Sequence, residues 1–173
     1  IAHLTLEADG LDLSGGVEYP GCPDVGRDIG EIIGTQHLGV HLVDDLEKIV
    51  GNTDVVVAFT APPDGTIESA KIAGVAGKAM VVGTTGLSAE QESEMAEALS
   101  DVACVYAPNF SVGVTLLTRL VEEAARILGN DYDVEIVEAH HRFKTDAPSG
   151  TALALAKAAA AGLARNLDEV GVY

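Results

Sequence analysis

Asp54-Val-Val-Val-Ala-Phe-Thr60 is the stretch that decides the fold. Its apolar residues run consecutively instead of alternating, as in a parallel strand covered on both faces. Downstream, a helix over residues 64–75 leads into a second apolar run at 79–83. Ser88-Ala-Glu-Gln91 has capping-box spacing and opens a helix to about residue 99, the serine accepting from a free amide and the glutamine reaching back. A strand over 102–107 and a longer helix over 112–128 follow. In that helix Leu116, Leu117, Leu120, Val121, Ala124, Ala125 and Leu128 lie near helical spacing. Upstream the pattern is weaker: the tail of a helix over 1–8, strands over 11–18 and 37–43, and a helical turn capped by Asp44 or Asp45 and running through Val50. Strand and helix alternate with short connections, which predicts an α/β protein built on a doubly wound parallel sheet. Right-handed crossovers then bring the loops at 60–63, 83–86 and 107–109 to one edge.

The composition limits what such a protein binds. Of 173 residues, 47% are hydrophobic but only 4% aromatic, so the core is aliphatic. Ten Lys and Arg face 27 Asp and Glu, a net charge of -17. That charge argues against nucleic acid and against an anionic membrane surface, while a pocket can still be locally positive. Cys22 and Cys104 form neither a CxxC pair nor a disulfide framework, and Cys104, inside an apolar run, reads as a small core residue. No apolar stretch reaches membrane-spanning length and no leader is visible, so a reducing cytoplasm is expected.

From Tyr132 the texture changes. Residues 133–138, Asp-Val-Glu-Ile-Val-Glu, alternate for most of their length, predicting a strand with one wet face. A polar loop at 140–150 and an Ala-rich helix at 151–163 follow. A boundary near 108–112 separates a dinucleotide-binding domain, 1–111, from the beginning of a second, α+β domain, 112–173, for substrate binding, catalysis and assembly. The Gly-x-Gly-x-x-Gly turn that opens a nucleotide-binding sheet is missing. One strand, loop and helix cannot close a sheet domain. The chain is therefore expected to be truncated at both ends.

Candidate cofactor residues sit where strands end. Glu18 can accept from ribose hydroxyls and would repel a 2'-phosphate, which favours NAD over NADP; as a bland alternative it is an exposed loop acid. Gly83-Thr-Thr-Gly86 lets backbone approach a flat ring and offers hydroxyls and amides, or is an ordinary tight turn. Phe59 and Thr60 end their own strand in the same way, and Phe59 reads equally well as core. Asn109, Phe110 and Ser111 fall at the domain junction, a common place for ligands.

The densest chemistry is Glu138-Ala-His-His-Arg-Phe-Lys-Thr-Asp-Ala-Pro-Ser-Gly-Thr151, with four basic or imidazole side chains between His140 and Lys144. A solvated loop is one reading. A metal site on His140, His141 and Asp146 is another, although adjacent histidines on a strand point to opposite sides. The third is a site for reduction of an anionic substrate. There a histidine delivers the proton that hydride addition demands, Lys144 stabilises charge or donates a proton, and Asp146 orients Lys144 or the loop. Ser149-Gly150-Thr151 seats a carboxylate at a helix start.

The run from Glu135 to Ala152 resembles the 4-hydroxy-tetrahydrodipicolinate reductase family, also called dihydrodipicolinate reductase. Phe59-Thr60, Gly83-Thr-Thr-Gly86 and Asn109-Phe-Ser-Val-Gly113 match in order, so the likeness covers essentially the whole chain. The resemblance implies a Rossmann-like fold and a reductase of lysine and diaminopimelate synthesis. Hydride passes from NADH or NADPH to a cyclic imine dicarboxylate, a proton follows, and water is lost. It implies His140 as proton donor and Lys144 as catalytic lysine. His141, Gly150 and Thr151 become substrate-carboxylate contacts, and Glu18, Gly83, Thr84, Thr85, Pro108, Asn109, Phe110 and Ser111 cofactor contacts. It also implies a homotetramer built through the rest of the second domain. Tyr19 stands where the family often has arginine, and Ala61 precedes Pro62 where it often has Arg-Pro. Both changes remove positive charge beside the cofactor, so a lean toward NADH is expected. The rivals are another NAD(P)-dependent dehydrogenase of similar layout and a non-catalytic nucleotide-binding fragment. An acylating semialdehyde enzyme would need a nucleophilic cysteine, and Cys104 lies within a strand.

Overall fold

The computed structural model describes residues 1–140, 142 and 147–172. Chain order begins α1 (Ala2–Glu7), β1 (Gly16–Val17), α2 (Ile29–Ile32), β2 (Leu42–Val43), with single 3-10 turns at Leu46–Lys48 and Val50–Asn52. It continues β3 (Val55–Ala58), α3 (Asp64–Val75), β4 (Ala79–Val82), α4 (Ala89–Ala98), β5 (Cys104–Tyr106), α5 (Val112–Leu128), α6 (Gly150–Gly162) and α7 (Leu167–Val170). Two compact units divide the chain, Ile1–Tyr106 and Ala107–Tyr173.

In the first unit β3, β4 and β5 pair in parallel, with Ala58 beside Val82 and Val82 beside Tyr106. The predicted capping box opens α4: the Ser88 hydroxyl accepts from the Gln91 amide at 3.2 Å, and Gln91 accepts from the Ser88 amide at 2.9 Å. Val56, Ala58, Met80 and Val82 turn toward Ile67, Ala70 and Ala73 of α3 and Met95 and Leu99 of and just after α4, forming the core. Both crossover helices feed this one core, which corrects the expectation of a strand buried on both sides: Val55 and Val57 are 47% and 46% exposed. Cys104 is exposed as well, not core, because all three residues of β5 are open to solvent.

The upstream strands are shorter than the sequence suggests. β1 and β2 keep two residues each and form a separate parallel ladder, Gly16 beside Leu42. In the doubly wound order the chain-first strand joins such halves, and the described residues contain no such strand. The stretch expected as a strand at 37–43 is instead gathered around a buried carboxylate. Asp28 accepts from the amides of Leu38 at 3.1 and 3.2 Å, Val40 at 3.1 Å and Glu31 at 3.3 Å. A side chain thus takes amides that a neighbouring strand would otherwise receive.

In the second unit α5 packs on α6 so closely that a Cβ at Gly162 would fall 2.3 Å from the Glu122 carbonyl oxygen. Ala125 is buried, whereas Leu116, Leu117 and Leu120 of the expected apolar face are 57%, 47% and 57% exposed. Residues 133–138 join no ladder among the described residues, against the predicted strand. A strand exists only where a neighbour receives its amides and carbonyls, and this unit has no other strand among the described residues.

Burial alone would push the Asp28 carboxyl up. The amides of Leu38, Glu31 and Gly39, with His37 nearby, outweigh it and hold it below the usual carboxylate value. A lowered native pKa contributes stability that is complete above the unfolded value of about 3.9 and is lost as pH falls through the native one. Asp28→Asn is therefore expected to melt below the wild type at pH 7, with the gap closing below about pH 4. Equal melting temperatures at pH 7 would count against this role.

Candidate functional site

Level strand ends bring Phe59-Thr60 and Gly83-Thr84 together. The Thr60 amide donates to the Thr84 hydroxyl oxygen at 3.0 Å. The Thr66 hydroxyl, in the first turn of α3, lies 2.6 Å from that of Thr60 and 2.7 Å from that of Thr84. Thr66 and Thr84 are 0% and 2% exposed, while Thr60 and Thr85 are open. Phe59 is half exposed, not core, and its ring lies over Gly83. A Cβ at Gly83 would fall 2.0 Å from the ring's Cε1. Glu18 and Tyr19 follow β1 and are both exposed. The Glu18 amide donates to the Val43 carbonyl at 2.9 Å, and its carboxylate accepts from the Tyr19 amide at 3.4 Å. No hydrogen bond among the described residues links them to the Thr60–Thr84 edge.

The second unit assembles its candidates around two helix starts. Asn109 accepts from the Ser111 amide at 2.7 Å, and the Ser111 hydroxyl oxygen caps α5 by accepting from the Val114 amide at 3.4 Å. Phe110 is partly exposed. The buried Ser149 caps α6, accepting from the Ala152 amide at 3.1 Å, while the Leu153 amide donates to the Ser149 carbonyl. Among the described residues nothing accepts from the amides of Gly150 and Thr151 at that helix start. A cleft of about 190 Å³ is lined by Pro108, Asn109, Thr115, Arg119, Gly150 and Thr151. It thus joins residues that the sequence proposes for cofactor with residues it proposes for substrate, and it includes a cation.

Glu138 links His140 to the start of α6. One carboxylate oxygen accepts from the Ser149 amide at 2.8 Å, and the other lies 3.4 Å from His140 Nδ1. A carboxylate there holds the imidazole in one orientation. His141, Lys144 and Asp146 lie outside the described residues. Three contributors escape sequence reading: Thr66, Glu138 and Arg119. Thr66 looks like one more helical threonine, and Glu138 like the end of a strand. Arg119 had a usable signal, being one of only ten basic residues.

The model of "Dihydrodipicolinate reductase, N-terminus" matches residues 1–110, and that of "Dihydrodipicolinate reductase, C-terminus" matches residues 113–173. The 4-hydroxy-tetrahydrodipicolinate reductases of Syntrophobacter fumaroxidans and Desulfotalea psychrophila are each 47% identical over 173 residues, covering 100% of this chain and 64% of theirs. The chain thus spans somewhat under two thirds of the length of these relatives. Among solved structures, a dipicolinate-bound dihydrodipicolinate reductase from Paenisporosarcina sp. TG-14 superposes with a TM-score of 0.68 at 27% identity, over 92% of this chain and 59% of that one.

Gly83→Ala puts a methyl group where the Phe59 ring lies, and overpacking of this kind costs about 1–3 kcal/mol. Urea melts should show that loss, and Phe59→Ala in the same chain should recover most of it. A loss that persists without the ring would mean that the ring is not the obstacle.

Proposed function

The chain belongs to the dihydrodipicolinate reductase family, and from that premise we propose that the full-length protein reduces 4-hydroxy-tetrahydrodipicolinate, with loss of water, using NADH or NADPH. The observation that carries this reading is Glu138, which joins His140 to the start of α6 and so couples a proton donor to a carboxylate seat. The chain's residues fit a nicotinamide nucleotide: Thr60 and Thr85 present open hydroxyls at one strand edge, the half-exposed Phe59 ring offers an aromatic face beside them, and Glu18 holds an exposed carboxylate. When bound, the nicotinamide supplies the hydride. Glu18 and Thr60 hold the nucleotide, together with Tyr19, Phe59, the turn at 83–85 and residues 108–111. His140 keeps the proton for the neighbouring carbon, and Lys144 steadies the developing charge. The amides of Gly150 and Thr151, with Arg119 in the same cleft, receive a substrate carboxylate, and His141 completes that contact. Glu18 followed by Tyr19 offers no cation for a 2'-phosphate, which supports a lean toward NADH. Homotetrameric assembly and a cytoplasmic location accompany the reading; among the described residues no helix is long and apolar enough to cross a membrane.

The test follows oxidation of NADH and NADPH by the full-length protein with enzymatically generated substrate. Substrate-dependent oxidation is expected, faster with NADH; a folded protein silent with both cofactors would end the assignment. His140→Gln should lower kcat by roughly 10²–10⁴ while NADH binding persists, and unchanged turnover would remove His140 from the proton step. Glu18→Ala should narrow the preference for NADH, which an unaltered ratio of the two rates would contradict.

A further inference from the structure

Three threonine hydroxyls in a row raise a question of direction, since each has one hydrogen to give. Thr84 Oγ1 already accepts from the Thr60 amide. Its own hydrogen is buried, and the Thr66 oxygen at 2.7 Å is the acceptor beside it. Thr66 is fully buried too. Having accepted from Thr84, it must give its hydrogen to Thr60 at 2.6 Å. The reverse order would leave the Thr84 hydrogen buried without an acceptor, which is the costly arrangement. The forward order leaves one hydrogen over, on the exposed Thr60 hydroxyl.

We propose that Thr66 is a positioning residue that directs this hydroxyl chain and thereby commits Thr60 to donate a hydrogen bond to the bound nucleotide. The inference rests on the nucleotide-binding reading above. The group that takes this hydrogen is an acceptor, either the nicotinamide carboxamide oxygen or a pyrophosphate oxygen. Thr66 touches neither. It works through Thr60, because its two bonds remove the freedom with which an isolated surface hydroxyl would turn. Sequence position hides this role, since Thr66 lies inside a helix six residues after the strand-end threonine it serves.

Calorimetric titration of the full-length protein with NADH separates the possibilities. Thr60→Val and the isosteric Thr66→Val should each weaken binding by about three- to tenfold, the worth of one ordinary hydrogen bond. Thr66→Ser should restore it. Because Thr66 acts through Thr60, the pair Thr60→Val with Thr66→Val should bind no worse than Thr60→Val alone. Wild-type affinity in Thr66→Val, or losses that multiply in the pair, would overturn the proposal. ADP-ribose repeats the titration without nicotinamide: a loss confined to NADH assigns the carboxamide, and a loss with both assigns the pyrophosphate. NMR of the unliganded protein tests the direction independently of any cofactor and of whether Thr66→Val folds. Slowly exchanging hydroxyl protons are expected on Thr66 and Thr84 but not on Thr60. A protected Thr60 hydroxyl beside an unprotected Thr84 would reverse the chain and defeat the inference. Failure of the wild type to bind NADH would instead defeat the nucleotide reading, while the hydroxyl spectrum still judges the chain.

Discussion

Everything at the upper edge of the first unit depends on the parallel register of β3, β4 and β5. Ala58, Val82 and Tyr106 lie abreast, so the polypeptide leaves the sheet at one level three times. An antiparallel partner would carry its exit to the opposite edge. Because the exits are level, Thr60 and Thr84 meet although 24 positions separate them, and the crossover that returns the chain to β4 passes directly beneath, carrying Thr66. The aliphatic core holds this register. Met80 and Val82 are 1% and 0% exposed, and a slip by one residue would turn them outward and Val81 inward.

The parts of the fold that could be read from sequence are those with one dominant local cause. The helices at 64–75 and 112–128 span the residues expected of them, and the box at Ser88 and Gln91 closes as its spacing requires. Strands are harder because pairing, and not propensity alone, makes them. Residues 133–138 have the alternation of a half-buried strand but no neighbour in their unit among the described residues. Residues 37–41 have strand-like side chains, yet Asp28 captures their amides. Neither outcome can be inferred from a window of sequence, because each depends on a partner elsewhere in the chain. The same reasoning covers the exposed face of β3. A consecutive run of valines signals two covered faces, and in the first unit α3 and α4 share one side.

The site was legible in its chemical types more than in its connections. The motif around His140 and the turn at Gly83 announce themselves by composition. Ser149 and Ser111 were expected as polar contacts, and their hydroxyl oxygens turn out to cap α6 and α5. With both hydroxyl oxygens engaged as caps, the residues of α6 that line the cleft are Gly150 and Thr151, with Ala154. Glu138, Thr66 and Arg119 went unnoticed because their roles lie in contacts across 11, 18 or more than 30 positions.

The dicarboxylate proposed above as substrate poses an electrostatic problem for an acidic chain, and the second unit holds groups that counter it. A unit charge about 4 Å from a like charge is disfavoured by about 4 kcal/mol at an effective dielectric of 20, so a bare carboxylate near such a ligand would repel it. Glu138 is not bare. One oxygen is bonded to the Ser149 amide and the other faces His140, so its charge is directed into the helix start and the imidazole. The neighbouring cleft is lined by Arg119 and by Gly150 and Thr151 at the positive end of α6. The protein's net charge of -17 is a property of its surface as a whole. The field felt by a ligand in that cleft is set by a few groups within a Debye length, about 8 Å at physiological salt.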